Sequence, residues 1–368
     1  MPSVSSLTIK GYKSIRSLEN FPLGQLNVLI GANGAGKSNF INVFRLLQEI
    51  VDQHLYLYVP LQGGPDALLH FGRAVTERLH VAFQFGMDGH PRIRQGYRFD
   101  LLPTLDNRLI FESEESLFFG DELPVVNPSR LLGQGHSESK LKEASDSYSK
   151  LVYPCVSNWR VYHFQDTSDT APAKRLHATN DNLRLKSDAA NLAAYVRMLR
   201  RDHPSAYTRI VETIRLVMPF FDDFVQRQGE PDSIELEWLQ KGMPDTPFRA
   251  STLSDGSLRF ICLVTLLLQP IELLPDTLLI DEPELGLHPY AIAVLADVFK
   301  QVAEDKQVIV STQSVELINA LAPEDVIVVE QDDGASTFKR FTQAELADWL
   351  QEYSMGELWL RNILGGRP

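Results

Sequence analysis

The chain has 368 residues, 44% hydrophobic and 23% charged, an ordinary balance for a soluble globular protein of two or three domains, or of one large domain carrying an insertion. Its formal net charge of −13 argues against a surface that attracts nucleic acid everywhere. Cys155 and Cys262 are too far apart for a disulfide framework or a cysteine zinc site, the longest apolar run (Phe260 to Leu268) is too short to cross a bilayer, and residues 1–20 show no secretory pattern, so the chain reads as reduced, cytoplasmic and without a membrane partner.

In chain order, residues 4–9 alternate and predict a strand. Leu26 to Ile30 is a short apolar run that leads into a glycine-rich loop, and Ile41, Phe44, Leu47 and Ile50 recur at helical spacing across 38–51. Residues 79–85 and 95–101 alternate like paired strands with a turn at Gly86–Pro91, which closes an N-terminal lobe near residue 110. Residues 112–190 are more polar and read as loops, and 188–218 read as helix broken at His203-Pro204. No sustained heptad runs through residues 111–248, so a long coiled-coil arm is not expected. The last third, 249–368, returns to strands at 277–280, 308–310 and 326–330, helices at 289–302 and 315–321, and a helical tail over 342–364. That alternation predicts an α/β fold, with a mainly parallel sheet covered on both faces.

Charge is uneven along this order: net −2 over residues 1–125, +5 over 126–215 and −16 over 216–368. The middle block is the one candidate for a basic face, through Arg197, Arg200, Arg201, Arg209 and Arg215. These arginines either meet a phosphate backbone or form a solvated face paired with the acidic last third.

Gly31-Ala32-Asn33-Gly34-Ala35-Gly36-Lys37-Ser38 has the P-loop spacing, follows an apolar strand and opens a helix. Glycines let backbone amides turn inward on a phosphate chain, and the helix N-terminus adds positive potential. Lys37 then reaches the β- and γ-phosphates of ATP and Ser38 ligates Mg²⁺. Leu278-Leu279-Ile280-Asp281-Glu282-Pro283 delivers two carboxylates at a strand end, Asp281 for the magnesium sphere and Glu282 to activate water. Leu253-Ser254-Asp255-Gly256-Ser257-Leu258-Arg259 precedes an apolar helix. Ser254 and the Gly256 backbone there offer a second phosphate surface, although the same residues also make an ordinary helix cap.

LSDGS lies between the P-loop and an acidic strand end that continues as Glu284-Leu285-Gly286-Leu287-His288-Pro289, and this arrangement resembles ABC-type ATPases. More narrowly it is similar to bacterial ATPases of the SMC, RecF and OLD type, through Leu7–Ile15, Leu26–Ile30, Asn33 and Asn39, and the closing segments Glu345–Leu350, Gly356–Trp359 and Leu364–Pro368. Asp255 and the Leu7–Ile15 pattern favour that branch over a transporter subunit. The resemblance is strong over 4–55 and 250–368, loose over 60–110 and silent over 112–245.

The resemblance implies an ABC-type P-loop NTPase head with an antiparallel N-terminal β element and a mixed, largely helical insertion. It implies two heads bound head to tail around two ATP molecules, Asn33–Asn39 of one facing Ser254 and Gly256 of the other, with Glu282, Lys37 and Gln313 catalytic. Val310-Ser311-Thr312-Gln313-Ser314 departs from the histidine often found at the switch position, and Gln313 can hydrogen-bond a γ-phosphate but carries no charge. No glutamine that would sense Mg²⁺ from the insertion side is identifiable, and Gln84 reads as structural. Tyr12 and Lys13 either contact the nucleotide or lie on the surface. His288 either faces the dimer interface or caps a helix, and Trp349, Tyr353 and Trp359 either dock a partner or pack on their own lobe. Two functions follow as expectations: a homodimeric or larger ATPase switch that controls a separate effector, a nuclease or toxin in antiphage defence, or a DNA-maintenance ATPase that binds DNA through residues 126–215.

Overall fold

Leu26–Ile30 is buried at every position, as a strand covered on both faces must be. In the computed structural model, which describes residues 3–86, 93–120, 129–227, 229 and 231–367, it lies inside a six-stranded sheet. The order runs from the edge hairpin Ala335–Arg340 and Val326–Asp332 through Leu26–Ile30, Gln307–Thr312 and Thr277–Asp281 to Trp159–Tyr162 at the other edge. All but Ala335–Arg340 run parallel. Their registers align Thr312 with Ile30, Val328 with Ile30, Ser311 with Asp281 and Tyr162 with Ile280, so the strands end on one common edge.

Alternate residues of this sheet feed two cores. Leu29, Leu279, Ile309, Ile327 and Val329 face the helix Lys37–Val51 and a second, antiparallel sheet. Val28, Ile30, Leu278, Ile280, Val308 and Val310 face the apolar helices Asp255–Leu267 and Pro289–Ala303. The antiparallel sheet is ordered Ile15–Pro22, Ser3–Tyr12, Leu79–Gly86, Ile93–Pro103, Leu109–Gly120 and Ser129–Gly133. Leu79–Gly86 alternates buried and half-buried residues, the period-2 pattern read from its sequence. Trp159 joins the two sheets, its ring centroid 5.1 Å from Phe44, 5.0 Å from Phe83 and 5.9 Å from Phe85.

The expected boundaries at 110 and 248 both fall within strands. Leu109–Gly120 pairs with Ile93–Pro103 and extends the antiparallel sheet, and Met243–Arg249 pairs with Glu237–Gln240. Ladder hydrogen bonds bind the chain across each boundary, so neither marks a linker. The segment 111–248 is less helical than expected. It supplies the edge strand Trp159–Tyr162 of the main sheet and a small sheet of Phe221–Phe224, Glu237–Gln240 and Met243–Arg249, beside the helices Ser147–Ser157, Leu192–Asp202 and Pro204–Val217. The expected turn at Gly86–Pro91 (Gly86 apart) and residues 126–128 lie outside the described residues. The tail forms three short pieces, Gln343–Leu346, Trp349–Gln351 and Met355–Leu360. Trp359 is buried, Tyr353 half-buried and Trp349 46% exposed. Cys155 and Cys262 are buried free thiols. Among the described residues no helix is long and apolar enough to cross a membrane.

Trp159→Ala is expected to remove the contact that joins both sheets and to cost about 3–5 kcal/mol, read as a lower midpoint in urea unfolding.

Candidate functional site

Parallel strands that end together place their following loops side by side, where open α/β sheets bind ligands. Here the loops after Ile30, Asp281, Thr312 and Tyr162 converge on that edge. Gly34 (φ +81°) has open space where a side chain would stand, so its loop forms an unobstructed cradle in front of the helix Lys37–Val51. Asn33 and Ser38 are exposed at its mouth, and Ala35 and Gly36 are buried behind it.

Lys37 is only 5% exposed and donates to the carbonyls of Gly31 at 2.7 Å and Ala32 at 3.0 Å. Burial lowers its pKa, against the opposing pull of the three nearby carboxylates Glu282, Asp281 and Glu284. Asp281 accepts a short hydrogen bond from Ser311 Oγ, its register partner on the neighbouring strand. Glu282 has a left-handed backbone (φ +48°), a strained conformation held by its N–H donating to Ser311 O at 2.9 Å.

Gln313 ties these elements together. Its side-chain amide donates to Asn33 Oδ1 at 2.6 Å and to Glu282 Oε1 at 3.2 Å, and its backbone N–H donates to Glu284 Oε1 at 2.7 Å. The other oxygen of Glu282 accepts from Gln165 Nε2 at 3.3 Å. Gln165, a glutamine on the insertion side, was not singled out in the sequence. It follows the strand Trp159–Tyr162 much as Asp281 closes its own, and its only local signal is a short apolar strand that ends in polar residues. Gln84 lies within an antiparallel strand, where its carbonyl accepts from Ser5 Oγ at 3.1 Å.

Ser254 caps the helix Asp255–Leu267, its Oγ accepting from Ser257 N–H at 3.2 Å. Arg259, one turn on, is buried and donates to the carbonyls of Phe164 at 2.9 Å, Gln165 at 3.1 Å and Leu285. It ties the Ser254–Gly256 turn to the Gln165 loop, and a side chain at Gly256 would collide with Gly286 O. Asn39 gives its amide to Ser14 Oγ at 2.7 Å, so in this conformation it braces the N-terminal hairpin. Tyr12 is fully buried, which corrects both readings offered for it. His288 caps the helix Pro289–Ala303, its Nδ1 accepting from Tyr290 N–H at 3.3 Å.

Magnesium binding commonly uses one or two carboxylates together with substrate phosphates. Asp281 and the Ser38 hydroxyl at the head of the cradle fit that donor set. Among the described residues no group of three or more His, Cys, Asp or Glu side chains could hold a metal by itself.

Residues 26–319 match the family model described as "AAA domain, putative AbiEii toxin, Type IV TA system". The chain belongs to this family. Its fold is that of a structure described as an SmcHead bound to the C-winged helix domain of ScpA, at 17% identity and TM-score 0.63 over 93% of this chain and 99% of that one. A Smc head domain with an extended coiled coil, bound to the C-terminal domain of ScpA and derived from Pyrococcus furiosus, matches at 15% identity and TM-score 0.61 over 96% and 99%. A third match is a Smc head domain with a coiled coil and joint from Pyrococcus yayanosii, at 13% identity and TM-score 0.56 over 96% and 99%. A search of curated proteins finds no match. The chain is thus an AAA-family P-loop ATPase domain with the fold of an SMC head.

Within this ATPase head, burial raises the Glu284 carboxyl, against the lowering effect of the Gln313 backbone amide, and one of its oxygens is buried without a partner. A carboxyl raised in the folded state contributes stability that is complete at acid pH and is lost as pH rises through the raised value. Glu284→Gln cannot titrate, so its urea midpoint is expected to change less with rising pH than that of the wild type.

Proposed function

We propose that the protein is an ATP-driven switch in which two copies close head to tail on two ATP molecules, and that the closed form controls a separate effector protein, a nuclease or toxin. The observation that carries the ATPase part is the Gln313 amide, which joins Asn33 of the cradle to Glu282 at the acidic strand end. That bridge spans the place where a γ-phosphate would sit.

The chemistry follows from these residues. Lys37 leaves the carbonyls of Gly31 and Ala32 for the β- and γ-phosphates, while inward-facing amides of the loop hold the rest of the chain. Glu282, oriented by Gln165 and Gln313, takes the proton of a water that attacks the γ-phosphorus as the bond to ADP breaks, which gives ADP and phosphate. Ser38 and Asp281 would hold a magnesium ion, which would supply charge neutralisation to the phosphates. Gln313 supplies hydrogen bonds without charge, which favours slow turnover. Ser254 and Gly256 take no part in their own cradle's hydrogen bonds and serve the partner copy's γ-phosphate. Loss of that phosphate removes the bridge and opens the pair.

The family description, which names a putative toxin and a toxin–antitoxin system, favours a role in defence over one in DNA maintenance. The DNA-maintenance reading has less support, because four of its five arginines already have partners. Arg200 pairs with Asp223, Arg201 with Asp202 and Arg215 with Asp222, and Arg197 donates to the carbonyls of Arg227 and Gly229.

Glu282→Gln is expected to bind ATP but lower turnover about 10²–10⁴-fold, and to accumulate as an ATP-dependent dimer in light scattering. A monomeric Glu282→Gln at saturating ATP would sink the sandwich. Gln165→Ala is expected to lower kcat about 10–100-fold with little change in nucleotide affinity, because it removes an orienting contact only.

A further inference from the structure

We propose that residues 354–367 are a positioning strap that fixes both the cradle and the switch of the nucleotide site, with Gly366 the residue that sets the cradle. The strap lies beyond residues 26–319, where the family match falls, and its far end reaches the first glycine of the P-loop.

At its near end the helix Met355–Leu360 packs on the helix Val315–Asn319, which begins two residues after Gln313. Gly356 N–H donates to Asn319 Oδ1 at 2.7 Å. A methyl group at Gly356 would stand 2.5 Å from Val315 Cγ1 and 2.7 Å from Asn319 Oδ1, so the Gly356 backbone packs directly against these two side chains. Val315–Asn319 is in turn capped by Ser314, which adjoins the switch glutamine.

At its far end the chain turns through two left-handed glycines, Gly365 (φ +82°) and Gly366 (φ +61°), and lies along the strand that neighbours the P-loop strand. Gly366 is held from two sides: its N–H donates to Glu330 Oε1 at 2.7 Å, and its carbonyl accepts from the buried Trp359 indole at 2.6 Å. A methyl group at Gly366 would stand 2.7 Å from Val328 Cγ1, 3.1 Å from Val329 O and 3.4 Å from Gly31 Cα. Gly31 itself is pressed on Val329 O, and its carbonyl carries the Lys37 ammonium. Gly366, Val329 and Gly31 are therefore three backbones in contact, and the position of Gly31 decides where Lys37 is stored. Packed backbones transmit displacement because no void absorbs it. A shift of the strap therefore reaches Lys37 through Gly31 and reaches Gln313 through Val315.

The test uses the full chain, with hydrogen exchange at residues 31–38 in the absence of nucleotide, equilibrium binding of a non-hydrolysable ATP analogue, and ATP turnover. Gly366→Ala is expected to speed exchange at 31–38 and to weaken analogue binding about tenfold, with little change in kcat, since a residue forced into a left-handed, crowded position displaces its neighbours. Gly356→Ala is expected to keep binding and lower kcat, because it presses on the switch helix instead. Trp359→Phe removes the donor to Gly366 while keeping most of the packing, and serves if Gly366→Ala does not fold. The control is Gly96→Ala, where a methyl would meet Phe83 O at 2.8 Å in the antiparallel sheet, away from the strap. It is expected to lower stability and leave exchange at 31–38 and affinity unchanged. Wild-type exchange and affinity in Gly366→Ala, or equal losses in Gly96→Ala, would overturn the strap. The binding arm rests on the ATP-site reading, and a wild type that binds no analogue would refute that reading while the exchange arm still decides the strap.

Discussion

Parallel strands in register share one C-terminal edge, and every chemical group of this site hangs from that edge. The pairings Ser311 with Asp281 and Thr312 with Ile30 bring the P-loop, the acidic pair and the switch to one level. A slip of one residue in either ladder would exchange the residues committed to the two cores and would part Asp281 from Ser311 Oγ. The two apolar cores hold that register, since alternate residues of the same strands are committed to opposite faces.

The edge also explains why the site is built from glutamines and carboxylates with few free charges. Lys37 is buried among Asp281, Glu282 and Glu284, and in this conformation its ammonium is satisfied by loop carbonyls. Glu282 is oriented by two neutral amides, those of Gln165 and Gln313. Glu284 keeps one oxygen for the Gln313 backbone and leaves the other buried and unpartnered, a cost that the fold tolerates where it fixes the switch.

Arg259 and residues 354–367 extend this frame. Arg259, on the helix that Ser254 caps, holds Phe164, Gln165 and Leu285 with one guanidinium, whose fan of donors suits three separate carbonyls. Together they make the site a set of backbones braced from several directions, which suits a switch with two discrete arrangements.

By itself the sequence determined the cradle Gly31–Ser38, the acidic pair Asp281 and Glu282, the cap at Ser254 and the strand–helix rhythm of the last third, because each is encoded in contiguous residues whose spacing is local. Tertiary structure decided the rest. Gln165 serves the site only because Trp159–Tyr162 pairs beside Thr277–Asp281, a partnership between distant segments that no local pattern announces. Tyr12 looked available and is buried, and Asn39 looked like a nucleotide contact and braces Ser14, since both depend on how the N-terminal hairpin folds back over the P-loop helix. Three of the five arginines that read as a basic face, Arg200, Arg201 and Arg215, are paired with Asp223, Asp202 and Asp222, because pairing is a matter of geometry that net charge does not record. The role of Gly366 was invisible for the same reason: a glycine is favoured there by a left-handed backbone packed against Val328, Val329 and Gly31, and those contacts exist in three dimensions alone.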